Sequence, residues 1–220
     1  MTYCGDVASG GPSDQRELTH LTIRKASVGT MDNNVYLLTC RRTGKQLLID
    51  AADDPTRIMS LLAQGNGGLD TIVTTHQHWD HHRALAQVAK LTKALTMAGV
   101  ADADALPVIP SRRLAHGDTI PCGDFTLEVI HLRGHTPGSV ALAYRDPQGT
   151  SHLWTGDSLF PGGLGNVEGD HERFASLLGD VQTRIFDVYN DDTWIYPGHG
   201  ADTTLGAERP HLQEWRERGW

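Results

Sequence analysis

At 220 residues the chain has the length of one large domain, and a folded chain of that size buries roughly 70–75% of its extended surface, so it holds a core without disulfides. Hydrophobic residues make up 39%, alongside 24 glycines and 10 prolines, which fits a loop-rich mixed α and β protein better than a helical bundle. The formal charge of −8 argues against nucleic acid as a partner, which wants a basic footprint, but not against anionic small substrates, because a bound metal inverts the local field.

Residues 1–17 are small, polar and glycine-rich and read as a loose arm before a single domain over 18–220. "LTHLTIRKASV", "NVYLLTCRR" and, after the turn "TGK", "QLLIDAADD" read as an antiparallel meander. "DPTRIMSLLAQG" is a helix, capped by Asp54, started by Pro55 and ended by Gly65, with Ile58, Leu61 and Leu62 inward. "LDTIVTTH" is a short buried strand. "HHRALAQVAKLTKAL" has a helical stripe of Leu85, Val88, Leu91 and Leu95, and "ALTMAG" fits either its last turn or a following strand. "ADADALP" reads as a short helix. "RRLAHGDTI" and "FTLEVIHL" read as strands about a glycine turn, and "SVALAYR" and "SHLWTGDSLF" as a hairpin. "HERFASLLGDVQTRIF" is amphipathic, with Phe174, Leu177, Leu178, Val181 and Ile185 on one side. "DTWIYPGHG" is a strand with a glycine-rich end, and a short helix closes the tail. The strands form two antiparallel groups, each followed by helices.

The segment "TTHQHWDHHRAL" places four histidines and an aspartate within seven residues. Imidazole nitrogen and carboxylate oxygen suit a divalent metal such as zinc. At a strand end His76 and His78, two apart, point to one side and can share a metal. Asp80 and His81 follow where the chain has turned, so they serve a second, adjacent position. Three more side chains follow strands in glycine-flanked loops, where the backbone can approach a ligand closely: His135 in "LRGHTPGS", Asp157 in "WTGDSLF" and His199 in "YPGHGADTT". Asp50, ending "LLID", suits the carboxylate that takes the second N–H of a metal-bound imidazole.

"THQHWDH" resembles the His-x-His-x-Asp-His motif of the metallo-β-lactamase superfamily, and His135, Asp157 and His199 follow in that superfamily's order, over about residues 20–205. The resemblance implies an α+β fold, an αββα four-layer sandwich with the site at one edge. It implies one metal on His76, His78 and His135, another on Asp80, His81 and His199, and Asp157 bridging them, with two Zn²⁺, or iron or manganese, as cofactors. "GDSLF" and "PGHG" look most like the glyoxalase II-type (hydroxyacylglutathione hydrolase-like) enzymes. That likeness implies a small-molecule thioester substrate, attacked by hydroxide that the metals supply at neutral pH, with Asp80 also orienting the nucleophile. Glyoxalase II continues into a helical region that helps hold glutathione, which this chain does not match, so the thiol stays open. Alternatives are a lactone or ester hydrolase and a mononuclear iron persulfide dioxygenase on His76, His135 and Asp157, since a two-histidine, one-carboxylate face suits iron(II).

Other residues carry plainer expectations. His82 lies outside the resemblance's ligand set and reads as a helix-surface residue or a hydrogen-bond partner of the ligands. Phe160 and Leu164, in the loop after Asp157, read as substrate-pocket walls. Trp79 fits a pocket wall or packing against the helix start, and Trp154 fits the core. The arginines of the tail, Arg209, Arg216 and Arg218, read as a solvated helix face. Cys4, Cys40 and Cys122 lack metal or disulfide spacing and read as reduced thiols. The opening "MTYCGDVASGGPSDQRE" has no secretory-type apolar stretch and no apolar run reaches 18 residues, so the expectation is a cytoplasmic protein without a membrane span.

Overall fold

A computed structural model describes residues 3–219. The first sheet has seven strands in chain order: β1 (Asp14–Glu17), β2 (Leu21–Val28), β3 (Asn33–Cys40), β4 (Gln46–Ile49), β5 (Thr71–Thr74), β6 (Leu95–Gly99) and β7 (Arg112–Leu114). The second holds β8 (Thr119–Cys122), β9 (Phe125–His131), β10 (Val140–Arg145) and β11 (Ser151–Gly156). After a small hairpin of β12 (Leu159–Phe160) and β13 (Gly163–Leu164), it is completed by β14 (Trp194–Pro197) and β15 (Thr203–Thr204), in the order β15-β14-β11-β10-β9-β8. The helices are α1 (Pro55–Ala63), α2 (Leu85–Thr92), α3 (His171–Val181), α4 (Leu205–Glu208) and α5 (Leu212–Arg218).

Successive strand residues point to opposite faces, and here both faces are buried. Leu38 of β3 joins a core between the sheets with Leu127, Leu142, Trp154 and Tyr196. Its neighbour Leu37 belongs to a second core with Ile58 and Leu62 of α1 and Leu85 and Val88 of α2. On the other sheet, Ala141 and Leu153 share a third core with Phe174, Leu177 and Val181 of α3 and Trp215 of α5. Burial on both sides explains why strands such as "NVYLLTC" read as apolar runs rather than clean alternation. The layers are therefore α, β, β, α, as expected. Trp154 lies in the inter-sheet core, stacked on Tyr196 with ring centroids 5.0 Å apart. Among the described residues no helix is long and apolar enough to cross a membrane.

The structure corrects several local expectations. The first sheet is mixed: β1 to β4 pair antiparallel, but β4, β5, β6 and β7 pair parallel. Parallel pairs need a crossover, and α1 and α2 supply two of them. "LTMAG" is strand β6, and α2 ends at Thr92, where Lys93 caps it in a left-handed conformation. Leu91 and Leu95 are consequently exposed rather than part of the inward stripe. "RRLAHGDTI" is not one strand: Arg112–Leu114 is β7, which closes the first sheet, and Thr119–Cys122 is β8, which opens the second and pairs with β9 about the expected glycine turn. "ADA" makes a single 3-10 turn.

The N-terminal segment, expected as a loose arm, is tied down over its described part; residues 1 and 2 lie outside the described residues. Strand β1 pairs with β2. Tyr3 donates its hydroxyl to Asp202 at 2.6 Å. The ammonium of Lys25, fully buried on β2, donates to Gly5 O at 2.6 Å and to Asp202 Oδ1 at 2.6 Å. The segment has no apolar period to announce this, because its backbone oxygen satisfies a buried charge instead of filling a core.

Candidate metal centre

Strand β5 delivers His76 to one edge of the sandwich, and the chain then turns. His78 is extended, and residues Trp79–His81 form a 3-10 turn held by His81 N donating to His78 O at 3.0 Å. That turn swings Asp80 and His81 away from the direction of His76. From the second sheet, the β9–β10 loop brings His135, the end of β11 brings Asp157, and the end of β14 brings His199.

These seven side chains meet. His76, His78 and His135 form one group of potential ligand atoms lying within 4.8 Å of one another. Asp80, His81 and His199 form another, and His76, His81 and Asp157 a third that overlaps both. Asp157 lies between them: its Oδ1 is 3.3 Å from His81 Nε2, and its Oδ2 is 3.5 Å from His199 Nε2 and 3.7 Å from His135 Nε2.

The outer ring nitrogens fix which atom each imidazole offers. His135 Nδ1 lies 2.7 Å from Asn166 O, and His199 Nδ1 lies 3.0 Å from Met31 O. A carbonyl oxygen only accepts, so both Nδ1 atoms carry protons and both Nε2 atoms face the centre with a lone pair. His81 Nδ1 lies 2.9 Å from Asp50 Oδ2. Asp50 also accepts from Thr75 N and Thr75 Oγ1, and the latter lies 3.0 Å from His76 Nδ1. Asp50 thus sits behind two of the imidazoles.

The charges are arranged for a cation. Burial, and then the neighbouring His81, hold the His76 imidazole well below its ordinary pKa, and burial lowers His135. Burial also opposes charge on His81, but Asp157 and Asp50 outweigh it and raise that imidazole well above its usual range. Burial likewise opposes charge on Asp157, and His81, with His76 and His199, holds that carboxyl well below the carboxylate range. A positive charge is favoured at the middle of this cluster. Among the described residues, His76 Nε2, His135 Nε2 and Asp157 Oδ1 are buried without a hydrogen-bond partner. Orphaned buried polar atoms are rare in native folds and call for an explanation; a metal ion supplies one, and this donor set fits it.

Other expected residues fall around the cluster. His82 is buried rather than on a helix surface, with Nε2 3.0 Å from Gln77 O. Phe160 and Leu164 are half-buried on the β12–β13 hairpin, and Leu164 also packs against the core beneath α3. Trp79 is exposed, with the Arg83 guanidinium 4.8 Å over its ring. Arg209 donates to Phe186 O at 2.8 Å and to Tyr189 O at 3.0 Å, so it braces the tail instead of standing in solvent.

Sequence reasoning missed Asn33. Its Nδ2 donates to Asp80 Oδ2 at 2.9 Å and lies 3.4 Å from His81 Nε2 and 3.3 Å from His199 Nε2. The only signal was a polar "NN" opening an otherwise apolar strand. Backbone bonding there joins the two sheets, with Asn34 N donating to Gly198 O at 2.7 Å. Gly198 itself has no room for a side chain: a Cβ would fall well inside contact of Asp157 Oδ1 and 2.8 Å from His81 Cε1. Gly198→Ala is expected to displace Asp157 and weaken zinc uptake about 10–100-fold. A competition titration against a chromophoric chelator reads this directly, and wild-type affinity in the variant would contradict the geometry.

Residues 28–199 match the model of the metallo-beta-lactamase superfamily. The chain is 26% identical over 182 residues to the hydroxyacylglutathione hydrolase GloC of Haemophilus influenzae, covering 74% of this chain and 83% of that protein. It spans as little as 55% of the length of other curated relatives. Among solved structures it is similar to ETHE1 from Myxococcus xanthus (TM-score 0.75, 25% identity, covering 86% of this chain and 82% of that one). It is also similar to TTHA1623 in a di-iron-bound form (TM-score 0.67, 30% identity, covering 83% and 95%). The matched segment carries all seven clustered side chains and most of both sheets, and on that ground the chain belongs to the metallo-beta-lactamase superfamily.

Proposed function

We propose that the protein is a dinuclear metal-dependent hydrolase of thioesters. The observation that carries this reading is a pair of donor groups, each within 4.8 Å, with the buried carboxylate of Asp157 between them. One metal would be held by His76, His78 and His135, and the other by Asp80, His81 and His199, with Asp157 shared. Zinc suits a nitrogen-rich set of this kind; the di-iron-bound relative supports iron as an alternative. Two bound divalent cations would supply Lewis acidity, polarising a carbonyl and making water nucleophilic near neutral pH.

The chain's own residues do the rest. Asp50, Asn166 O and Met31 O hold the imidazoles of His81, His135 and His199 in the tautomer that offers Nε2. Asn33 orients the Asp80 carboxylate, which in turn is placed to orient the attacking water. Phe160 and Leu164, on the hairpin after Asp157, would wall the substrate channel. The names of the curated relatives support a thioester as the bond cleaved.

The competing reading is a mononuclear iron dioxygenase acting on persulfides, supported by the approach of Asp157 Oδ2 to within 3.7 Å of His135 Nε2, with His76 and Asp157 in one donor group, since a two-histidine, one-carboxylate face suits iron(II). His199 separates the two, because only the dinuclear enzyme needs it as a direct ligand. The expected result is close to two metal equivalents in the reconstituted wild type. His199→Ala should lose one equivalent and thioesterase activity on the order of 10²-fold. Oxygen uptake by iron-loaded protein with a persulfide, while thioesters stay intact, would overturn the hydrolase reading.

A further inference from the structure

Asp102 is a carboxylate with no exposure to solvent, it belongs to none of the donor groups, and it sits where three segments converge. It follows the end of β6, where Asp102 N donates to Gly99 O at 3.1 Å. Its Oδ2 accepts from Gln77 N at 2.9 Å and from Thr136 Oγ1 at 2.5 Å. Its Oδ1 accepts from Gly138 N at 2.6 Å. Gln77 is the residue between His76 and His78, and Thr136 follows His135. The turn at Gly138 lies so close that a Cβ there would collide with Asp102 N.

We infer that Asp102 is the positioning residue of the three-histidine group, locking the His76–His78 loop of one sheet to the His135 loop of the other. The inference rests on the ligand set proposed above. Three donors converge on two carboxylate oxygens, and a carboxylate is the side chain that accepts all three without offering a proton of its own. Thr136 gives its single proton to Asp102, so the Ser139 hydroxyl, 2.5 Å away, donates to Thr136 in turn. One buried charge thereby fixes the backbone on both sides of the group. A carboxylate that holds ligand-bearing loops acts on metal affinity with little direct contact, as partners behind the ligands do.

Asp102→Asn tests this. Either orientation of the amide turns its NH₂ toward a backbone N–H, at Gly138 or at Gln77. Zinc titrated into metal-free protein against a chromophoric chelator should show one equivalent weakened on the order of 10–100-fold, with the other close to wild type. The control is Asp146→Asn. Asp146 is also buried and accepts from Thr19 N, Thr19 Oγ1 and Gln148 N, but none of these partners lies beside a proposed ligand. It should lower thermal stability and leave both zinc affinities unchanged. Thr136→Val removes one donor with little change of shape, and should weaken the same equivalent several-fold should Asp102→Asn fail to fold. An Asp102→Asn protein that binds both equivalents like wild type overturns the inference and leaves the dinuclear reading standing. Equal losses in Asp102→Asn and Asp146→Asn also overturn it, since the effect is then one of global stability. A wild type that takes up no zinc removes the dinuclear reading, and the inference falls with it.

Discussion

Asp157→Ala is expected to lose thioesterase activity on the order of 10³-fold and metal content at the same time. Loss of one well-placed electrostatic group at a reaction centre costs about 10²–10³, and this carboxylate faces both donor groups at once. Its removal leaves His81, His135 and His199 without the anion that each approaches within 3.3–3.7 Å. It also removes the charge that outweighs burial at His81. Turnover of a chromogenic thioester, measured beside elemental analysis of the same sample, decides the matter. Full activity in the variant would mean that Asp157 does not join the two groups.

The second large effect lies at the opposite end of β11. His152 is buried in the inter-sheet region with Nδ1 3.0 Å from the Tyr196 hydroxyl, which itself accepts from Arg16 Nη1 at 3.4 Å. Burial, with the Arg16 guanidinium adding to it, lowers the His152 pKa to about 4. The folded pKa lies below the unfolded value, so the folded state favours the neutral ring. Its contribution is complete above about pH 6.5 and disappears as pH falls through that value toward 4. A shift of this size is worth about 3 kcal/mol over the window. His152→Gln cannot titrate, so the stability difference between wild type and variant should change by about 3 kcal/mol between pH 7 and pH 4. Urea unfolding of both proteins across that range measures it, and a difference that stays constant with pH would show that His152 titrates normally in the fold.

What could be read from the sequence depended on how local the information was. The "THQHWDH" run announces its chemistry because four potential ligands, His76, His78, Asp80 and His81, share one strand end and one turn. His135, Asp157 and His199 were legible because each stands beside a glycine after an apolar strand. Asn33 and Asp102 were not: one opens an apolar strand and the other sits in an alanine-rich turn, and their partners lie 47 and 25 residues away along the chain. Strand and helix patterns gave two groups of strands each followed by helices, and the four layers came from the resemblance that the ligand motif carries, but the direction of pairing was legible in neither. β4 and β5 are four-residue strands, and nothing inside them distinguishes a parallel neighbour from an antiparallel one. Leu95 kept a helical period beyond the end of α2, and only the sheet's claim on "LTMAG" decided against it, whereas Leu91 lies within the helix and faces solvent.

Both proposed ligand triplets are divided between the sheets. His76, His78, Asp80 and His81 follow β5 of the first sheet, whereas His135 and His199 follow β9 and β14 of the second. Neither proposed triplet is complete within one sheet. Each ion bound at a hundred times its Kd would therefore add about 2.7 kcal/mol against separation of the halves. On the proposed ligand sets, metal supply would therefore bear on how long the folded chain survives proteases as well as on its turnover, because loss of the ions would loosen the seam between the sheets.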